Sequence, residues 1–354
     1  MHEPAAAPVV WLLSAYRAES HAAWAEWLQR RVTSVDWRVF ELPGRHFRWR
    51  IRGNPLSWQG VLPAEPPALI VATSMVDLAT LKGLNPRIAD VPAIYYFHEN
   101  QFAYPRGERQ VECIEPQMVQ LYGALAAQRL LFNSAYNRDT FLDGVDALLR
   151  KMPDGVPPGV LPALADKSTV LPVPLTAPPG TGARDAHLLL WNHRWEYDKA
   201  PGVFVDAMQR LVSAGVAFRL AVLGARSEPP PAELIRLRQV LGERIVVDAM
   251  LPRDDYLRVV AGAAIVVSTA IHEFQGLAVM EATAAGCRPL VPDALCYPEQ
   301  YPAAYRYPAG DAVALYEHLR GWLDVGLPPP VDMVAWSEST LLPQWSELLT
   351  DLLR

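Results

Sequence analysis

Residues 263–269, Ala263-Ala264-Ile265-Val266-Val267-Ser268-Thr269, form an apolar, β-branched run, and such a run persists only where both faces are covered. It predicts a central strand of a parallel sheet. Beyond it, Glu273-Phe274-Gln275-Gly276-Leu277 reads as a loop, residues 277–285 have helical composition, and Gly286 stands where a helix would stop. This strand–loop–helix unit carries Glu273 in its loop and Glu281 about a turn inside its helix. Backbone N–H groups at a helix start hold anions, and carboxylates accept from hydroxyls. A ligand with both phosphate and sugar hydroxyls, a sugar nucleotide, suits the unit.

The rest of the chain repeats that alternation. Strand-like runs at 8–14, 36–41, 68–72, 93–97, 129–132 and 168–174 are interleaved with amphipathic stretches at 21–31 and 115–128. Prolines crowd residues 153–179 and end regular structure there. A second series follows, with strands at 187–191, 218–223 and 244–248 and helices at 202–214, 232–241 and 254–261. Strands alternating with helices mean parallel, doubly wound sheets. The expected fold class is α/β, with two Rossmann-like domains facing across a cleft, spanning residues 1–178 and 179–336. A closing helix, 337–354, is expected to pack back on the first domain. Ligands of open α/β sheets bind at the carboxyl ends of the strands, which is where the unit above places its glutamates.

A chain of 354 residues, 51% hydrophobic and 20% charged, has the material for two packed cores and is not a disordered protein. Its net charge of −6 argues against a surface coated in nucleic acid but leaves room for a local basic patch. Cys113, Cys287 and Cys296 are scattered, which suggests neither a disulfide framework nor a zinc site and fits a reducing, cytoplasmic setting. The N-terminal apolar run has no basic residue before it and Pro8 inside it, so it reads as a strand rather than a signal. No apolar stretch reaches the roughly 18 residues of a membrane span. Oligomeric state is not legible.

In Trp191-Asn192-His193-Arg194-Trp195-Glu196-Tyr197-Asp198-Lys199, Arg194 and Lys199 follow the first strand of the second series. A guanidinium and an ammonium make a clamp for a diphosphate; the alternative is a solvated loop with a surface ion pair. His98, ending the run 93–97, is either a ligand contact or a structural hydrogen-bonder. Ser20 reads as the cap of the first helix. Residues 45–52 interleave Arg45, Arg48, Arg50 and Arg52 with Phe47 and Trp49. That patch suits phosphates and a stacked, unpaired base of an RNA loop, or else a half-buried strand with an arginine-rich face.

Arg194 and Lys199 followed by Glu273-Phe274-x-Gly276-Leu277-x-x-x-Glu281 resemble the retaining glycosyltransferases of family four, with the GT-B fold, across the whole second domain. The resemblance implies that Arg194 and Lys199 hold the donor diphosphate, Glu273 contacts the transferred sugar and Glu281 the ribose hydroxyls. Phe274, Gly276 and Leu277 would then form the donor loop, while Leu223-Gly224 and Ala249-Met250-Leu251-Pro252 meet the base through backbone groups. The family's Gly-Phe-Gly reads Phe274-Gln275-Gly276 here, a departure on the sugar side. The glycines such enzymes carry in the first strand-to-helix turn are also absent between Ser14 and His21.

A closer likeness rests on Tyr95-Tyr96-Phe97-His98-Glu99-Asn100-Gln101, Phe132-Asn133-Ser134, His193-Arg194-Trp195-Glu196-x-Asp198-Lys199 and Tyr297-Pro298-Glu299. These resemble the tRNA-queuosine α-mannosyltransferase family, over most of the chain. The resemblance implies GDP-mannose as donor and, as acceptor, the cyclopentenediol of queuosine in the anticodon of aspartate tRNA. It implies His98 at the sugar or leaving phosphate beside Glu273, Arg194 and Lys199 as catalytic groups. Asn100, Gln101 and Tyr104 become candidates for the acceptor hydroxyls, and Arg48, Trp49, Arg50 and Arg52 for tRNA. With no Asp-x-Asp and no His/Cys cluster of ligand spacing, no metal or cofactor is expected. The rival expectations are a transferase of the same fold acting on a lipid or glycan, and a non-catalytic RNA or sugar-nucleotide binder.

Overall fold

A computed structural model describes residues 6–104, 113–176 and 184–354. Leu175–Ser337 form one compact unit, and the residues up to Pro174 together with Glu338–Arg354 form the other. The boundary expected at 178/179 lies outside the described residues.

The first unit is built on a six-stranded parallel sheet: β1 (Val9–Arg17), β2 (Asp36–Pro43), β3 (Leu69–Thr73), β4 (Ala93–Phe97), β5 (Arg129–Phe132) and β6 (Ser168–Val170), in the order β2-β1-β3-β4-β5-β6. The residues of β3 and β4 are buried throughout, as continuous apolar runs require. Helices α1 (Glu19–Arg31), α2 (Phe47–Ser57), α3 (Leu78–Leu84), α4 (Glu115–Ala126), α5 (Ala135–Leu149) and α6 (Val160–Asp166) connect the strands.

The second unit repeats the plan. Strands β7 (Asp185–Trp191), β8 (Arg219–Val222), β9 (Ile245–Asp248), β10 (Ala263–Val267), β11 (Arg288–Pro292) and β12 (Arg306–Tyr307) run in the order β12-β11-β10-β7-β8-β9, all parallel. Their connections include α7 (Pro201–Ser213), α8 (Ala232–Leu241), α9 (Arg253–Gly262), α10 (Leu277–Ala284), α11 (Tyr297–Gln300) and α12 (Ala312–Val325). Strand β10 is central and fully buried, the position its composition demanded. Helix α10 stops at Gly286, whose φ of 104° only glycine adopts without strain.

The last helix, α13 (Glu338–Leu352), belongs to the first unit. Trp345 is buried there against Trp24 and Tyr96, with ring centroids 5.8 and 5.5 Å away. The indole of Trp27 donates to Glu338 across 2.8 Å.

Three local expectations are corrected. Residues 45–52 are not a strand: α2 begins at Phe47, and Phe47, Ile51 and Pro55 share its inward face while Trp49 points outward, 54% exposed. An alternation of apolar and basic residues over a single helical turn and a half does not distinguish period 2 from period 3.6. Ser20 does not cap α1; Ala18 holds that position without a side-chain bond, because β1 runs on to Arg17. And α6 forms within the proline-rich segment, since Pro162 falls in its first turn, where no intrahelical N–H is needed.

Candidate functional site

Each unit gathers its candidate side chains at the carboxyl ends of its strands. In the second unit, the chain leaves β7 through Asn192 and His193 and crosses beneath Gly224. A Cβ on Gly224 would lie 2.2 Å from the His193 carbonyl oxygen, so this crossing needs glycine. The following turn delivers Lys199, which is buried. Its Nζ stands 3.0 Å from Glu273 Oε2 and 3.1 Å from Asp198 Oδ2, and donates to the His272 carbonyl at 2.9 Å. The Asp198 carbonyl accepts from Ile271 and His272, and Thr269 donates to the Lys199 carbonyl, lacing the turn to the loop that follows β10.

Burial alone would raise the Glu273 carboxyl, but Lys199 beside it, with smaller contributions from His193 and His272, draws it down to about 2. Burial would likewise lower Lys199, and Glu273 and Asp198 reverse that, raising it above the ordinary lysine value. Glu273 is therefore a carboxylate and Lys199 an ammonium at neutral pH. Burial, followed by the nearby ammonium, holds His193 and His272 at about 4, so both rings are neutral. His193 Nε2 lies 2.9 Å from Ser268 Oγ, which in turn lies 2.7 Å from the Tyr297 hydroxyl.

Gly276 turns the chain into α10 at φ 71°, where a Cβ would crowd the Tyr297 ring and the Glu273 side chain. No side chain caps α10, so its first N–H groups are not taken by a side-chain cap. Phe274 is buried against the His272 ring, and Leu277 is half-buried. Met250 is 64% exposed in the loop after β9.

Arg194 differs from its expected partner. It is exposed and pairs with Glu196 at 3.0 Å, the surface-pair arrangement, while Lys199 sits inside the cluster. Glu281 is held by a residue the sequence reading missed: Arg253 grips it with both Nη atoms, at 2.9 Å from Nη1 to Oε2. Tyr256 stands near the same carboxylate, whose charge, after burial, pushes its hydroxyl pKa up, and its oxygen receives Asn192 Nδ2 at 3.0 Å. The position of Arg253 at a helix start after Pro252 marked it only as a first-turn residue.

In the first unit His98 follows β4 and is buried. Its ring stacks on His21 with centroids 4.1 Å apart and meets the edges of Trp24 and Tyr96. Its Nε2 is buried and has no hydrogen-bond partner among the described residues, and burial, then the neighbouring His21, keeps the ring neutral. The acceptor candidates separate. Asn100 is fully buried; its amide donates to Asn137 and Thr140, and its oxygen accepts from the Phe102 and Ala103 N–H groups. These bonds engage both its amide and its oxygen within the loop that they shape. Gln101 and Tyr104 are half-exposed. Arg48 and Trp49 are exposed on the outer face of α2, Arg50 reaches toward Ser57, and Arg52 is anchored to the buried Asp77 at 2.5 Å. Among the described residues no group of His, Cys, Asp or Glu is arranged to hold a metal ion.

Solved structures share this architecture. HepE of Anabaena, in complex with UDP and glucose, covers 97% of this chain and 100% of its own at TM-score 0.67 and 13% identity. Sucrose-phosphate synthase of Thermosynechococcus elongatus covers 98% and 99% at TM-score 0.70 and 13% identity. Paired doubly wound sheets of this kind define the GT-B fold, and residues 186–324 match the family described as glycosyl transferases group 1, so the protein is a glycosyltransferase. Residues 9–175 match the family described as tRNA-queuosine alpha-mannosyltransferase N-terminal. A tRNA-queuosine alpha-mannosyltransferase of Drosophila melanogaster is 32% identical over 332 residues, covering 89% of this chain and 88% of that protein. The chain belongs to the tRNA-queuosine alpha-mannosyltransferase family.

Proposed function

We propose that the protein transfers mannose from GDP-mannose to the cyclopentenediol of queuosine in the anticodon of aspartate tRNA, with retention at the anomeric carbon. The observation that carries this reading is the 32% identity to the Drosophila protein across both units. The tRNA and the nucleotide sugar are its two partners, and the reaction takes place in the cytoplasm without a metal ion.

Lys199 and Arg194 take the place of a metal at the departing diphosphate. Lys199, Glu273 and Asp198 together carry one net negative charge, so the cluster alone would repel a diphosphate; Arg194 supplies the missing positive charge when it leaves Glu196. Glu281 takes the ribose and Met250, Phe274, Gly276 and Leu277 line the donor through backbone or side chain. Glu273 and His98 orient the sugar as positive charge develops at its anomeric carbon. An ion pair at 3.0 Å lowers the nucleophilicity of Glu273, which favours front-side displacement: the acceptor oxygen bonds the anomeric carbon, the bond to phosphate breaks, and the acceptor proton passes to the departing phosphate oxygen. On the first unit, Arg48, Trp49 and Arg50 meet tRNA, with Gln101 and Tyr104 near the accepting hydroxyls.

The test is incubation with GDP-mannose and queuosine-containing tRNA, followed by digestion and mass analysis of the nucleosides. One added hexose on queuosine is expected. Queuosine of unchanged mass would refute the acceptor, and turnover with a UDP-sugar in preference to GDP-mannose would refute the donor.

A further inference from the structure

Three buried side chains of the second unit bond one another in a line beside the Lys199 cluster. His193 comes shortly after β7, Ser268 directly after β10, and Tyr297 opens α11. Ser268 and Tyr297 are completely buried and His193 nearly so. Ser268 Oγ lies 2.9 Å from His193 Nε2 and 2.7 Å from the Tyr297 hydroxyl, and it accepts from the Ala270 N–H at 3.3 Å. A serine hydroxyl has one hydrogen to give and two places to accept. With Ala270 on one of those places, one place and one hydrogen remain for two neighbours.

One direction of donation uses every hydrogen. If His193 donated from Nε2 to Ser268, Ser268 would donate to Tyr297. The Tyr297 O–H, with no other partner among the described residues, would then be buried without an acceptor, which is costly. If Tyr297 donates to Ser268 and Ser268 to His193 Nε2, no hydrogen is stranded. Burial keeps the His193 ring neutral, so it holds a single hydrogen, and that hydrogen then sits on Nδ1. Nδ1 makes no hydrogen bond among the described residues. His193 immediately precedes Arg194, and the charges that act on its ring are those of Lys199, Glu273, Asp198 and Arg194.

We infer that His193 donates from Nδ1 to an oxygen of the nucleotide diphosphate, held in that tautomer by the line from Tyr297 through Ser268. This rests on the proposal that Arg194 and Lys199 face the diphosphate, and it adds to them a donor that carries no charge. Such a donor, fixed before the reaction begins, strengthens its bond as negative charge grows on the departing phosphate. Ser268 and Tyr297 are positioning residues: they act on the diphosphate only through the imidazole.

The experiment has two arms, both on the full chain. Nitrogen NMR of histidine-labelled protein at neutral pH reads the tautomer, the His193 signals being those lost in His193→Asn. The wild type is expected to carry its hydrogen on Nδ1, and Ser268→Ala and Tyr297→Phe are expected to shift population toward Nε2–H. A wild-type ring with its hydrogen on Nε2 would overturn the inference whatever the ligand does, and an unmoved tautomer in both variants would overturn the positioning role. Calorimetry then measures GDP affinity in the wild type, His193→Leu, His193→Asn and Arg194→Ala. His193→Leu is expected to bind GDP about tenfold or more weakly, the scale of a hydrogen bond to a charged group. His193→Asn, whose amide can stand where Nδ1–H stood, is expected to stay within about threefold. Equal losses in His193→Leu and His193→Asn would mark the ring as packing and overturn the hydrogen bond. Unchanged affinity in His193→Leu with a loss in Arg194→Ala would overturn the His193 contact and leave the diphosphate site standing. Unchanged affinity in both would refute the diphosphate site itself. Thermal melts exclude unfolding as the cause, and the wild-type spectrum keeps the test open if His193→Leu does not fold.

Discussion

One ammonium, that of Lys199, is shared between Glu273 at 3.0 Å and Asp198 at 3.1 Å, all within a turn and a loop that hydrogen-bond each other's backbones. The arrangement gives Lys199 a structural part besides its proposed one, whereas Arg194 holds only an exposed pair with Glu196. Arg194→Ala should therefore lower kcat by about a hundredfold or more, the scale of one lost donor at a developing charge. Its melting temperature should hardly move, because an exposed ion pair is worth ~0–1 kcal/mol. Lys199→Met should lower both, since it strands two carboxylates with little access to water. Steady-state kinetics and calorimetric melts on the two variants distinguish them; full turnover by Arg194→Ala would remove it from the reaction.

The buried rings give acid stability a defined window. His193 and His272, buried neutral, titrate at about 4 in the fold and near the ordinary 6.5 when unfolded. The unfolded chain therefore binds more protons between those values, and stability falls as pH drops from about 6.5 toward 4. Glu273, depressed to about 2, contributes above its ordinary value and loses that contribution as pH falls toward 2. Lys199, raised, contributes up to its ordinary value and loses it only in more alkaline solution. Melting temperature recorded in steps from pH 7.5 to 4 should decline through that window; a flat profile would contradict neutral burial of the two rings.

Trp49 lies with its indole over Gly53, where a Cβ would be 2.5 Å from the ring. The glycine lets the ring lie flat along α2 with its other face open. Trp49→Ala should weaken tRNA binding by about tenfold or more, the scale of a lost base–aromatic stack, and leave GDP affinity unchanged. Charge reversal at Arg45 and Arg48 should lower tRNA affinity and flatten its salt dependence. Arg52→Glu is a poorer probe because it also abandons the buried Asp77. Filter binding at several salt concentrations reads these effects; tRNA affinity unchanged in both variants would place the RNA surface elsewhere.

Gly224→Ala should destabilise the protein by about 2 kcal/mol or more, since φ is +98° and the new methyl meets a backbone oxygen at 2.2 Å. Denaturant unfolding measures it. A variant as stable as the wild type would mean that the crossing under His193 adjusts freely.

Asn100→Ala should cost about 1–3 kcal/mol of stability, because it leaves the Phe102 and Ala103 N–H groups and the Asn137 oxygens without their partner. The acceptor KM should follow only through the loop. A specific rise in that KM with unchanged stability would restore Asn100 to the ligand.

The strands were legible because continuous runs of apolar, aromatic and β-branched residues such as 93–97 and 263–269 have few structural options. The paired glutamates were legible because a loop and the following helix start are local in the chain. Helix α5 was not anticipated: its start depends on Ser134 accepting from Asn137 and on Asn137 donating to the Phe97 carbonyl at the end of β4, 40 residues back in the chain. The turn of α2 was ambiguous for the opposite reason, its pattern being too short to carry a period.

Spacing along the chain decided which residue types arrive at the strand ends: a Lys after β7, carboxylates after β10, a His after β4. It could not decide their state. Whether Arg194 is solvated or buried, whether Glu281 is open or already gripped, and whether Asn100 faces ligand or protein depend on groups tens of residues away. Hydrogen bonds and burial are properties of through-space neighbours, and only the folded chain brings Arg253 to Glu281, His21 to His98 and Asn137 to Asn100.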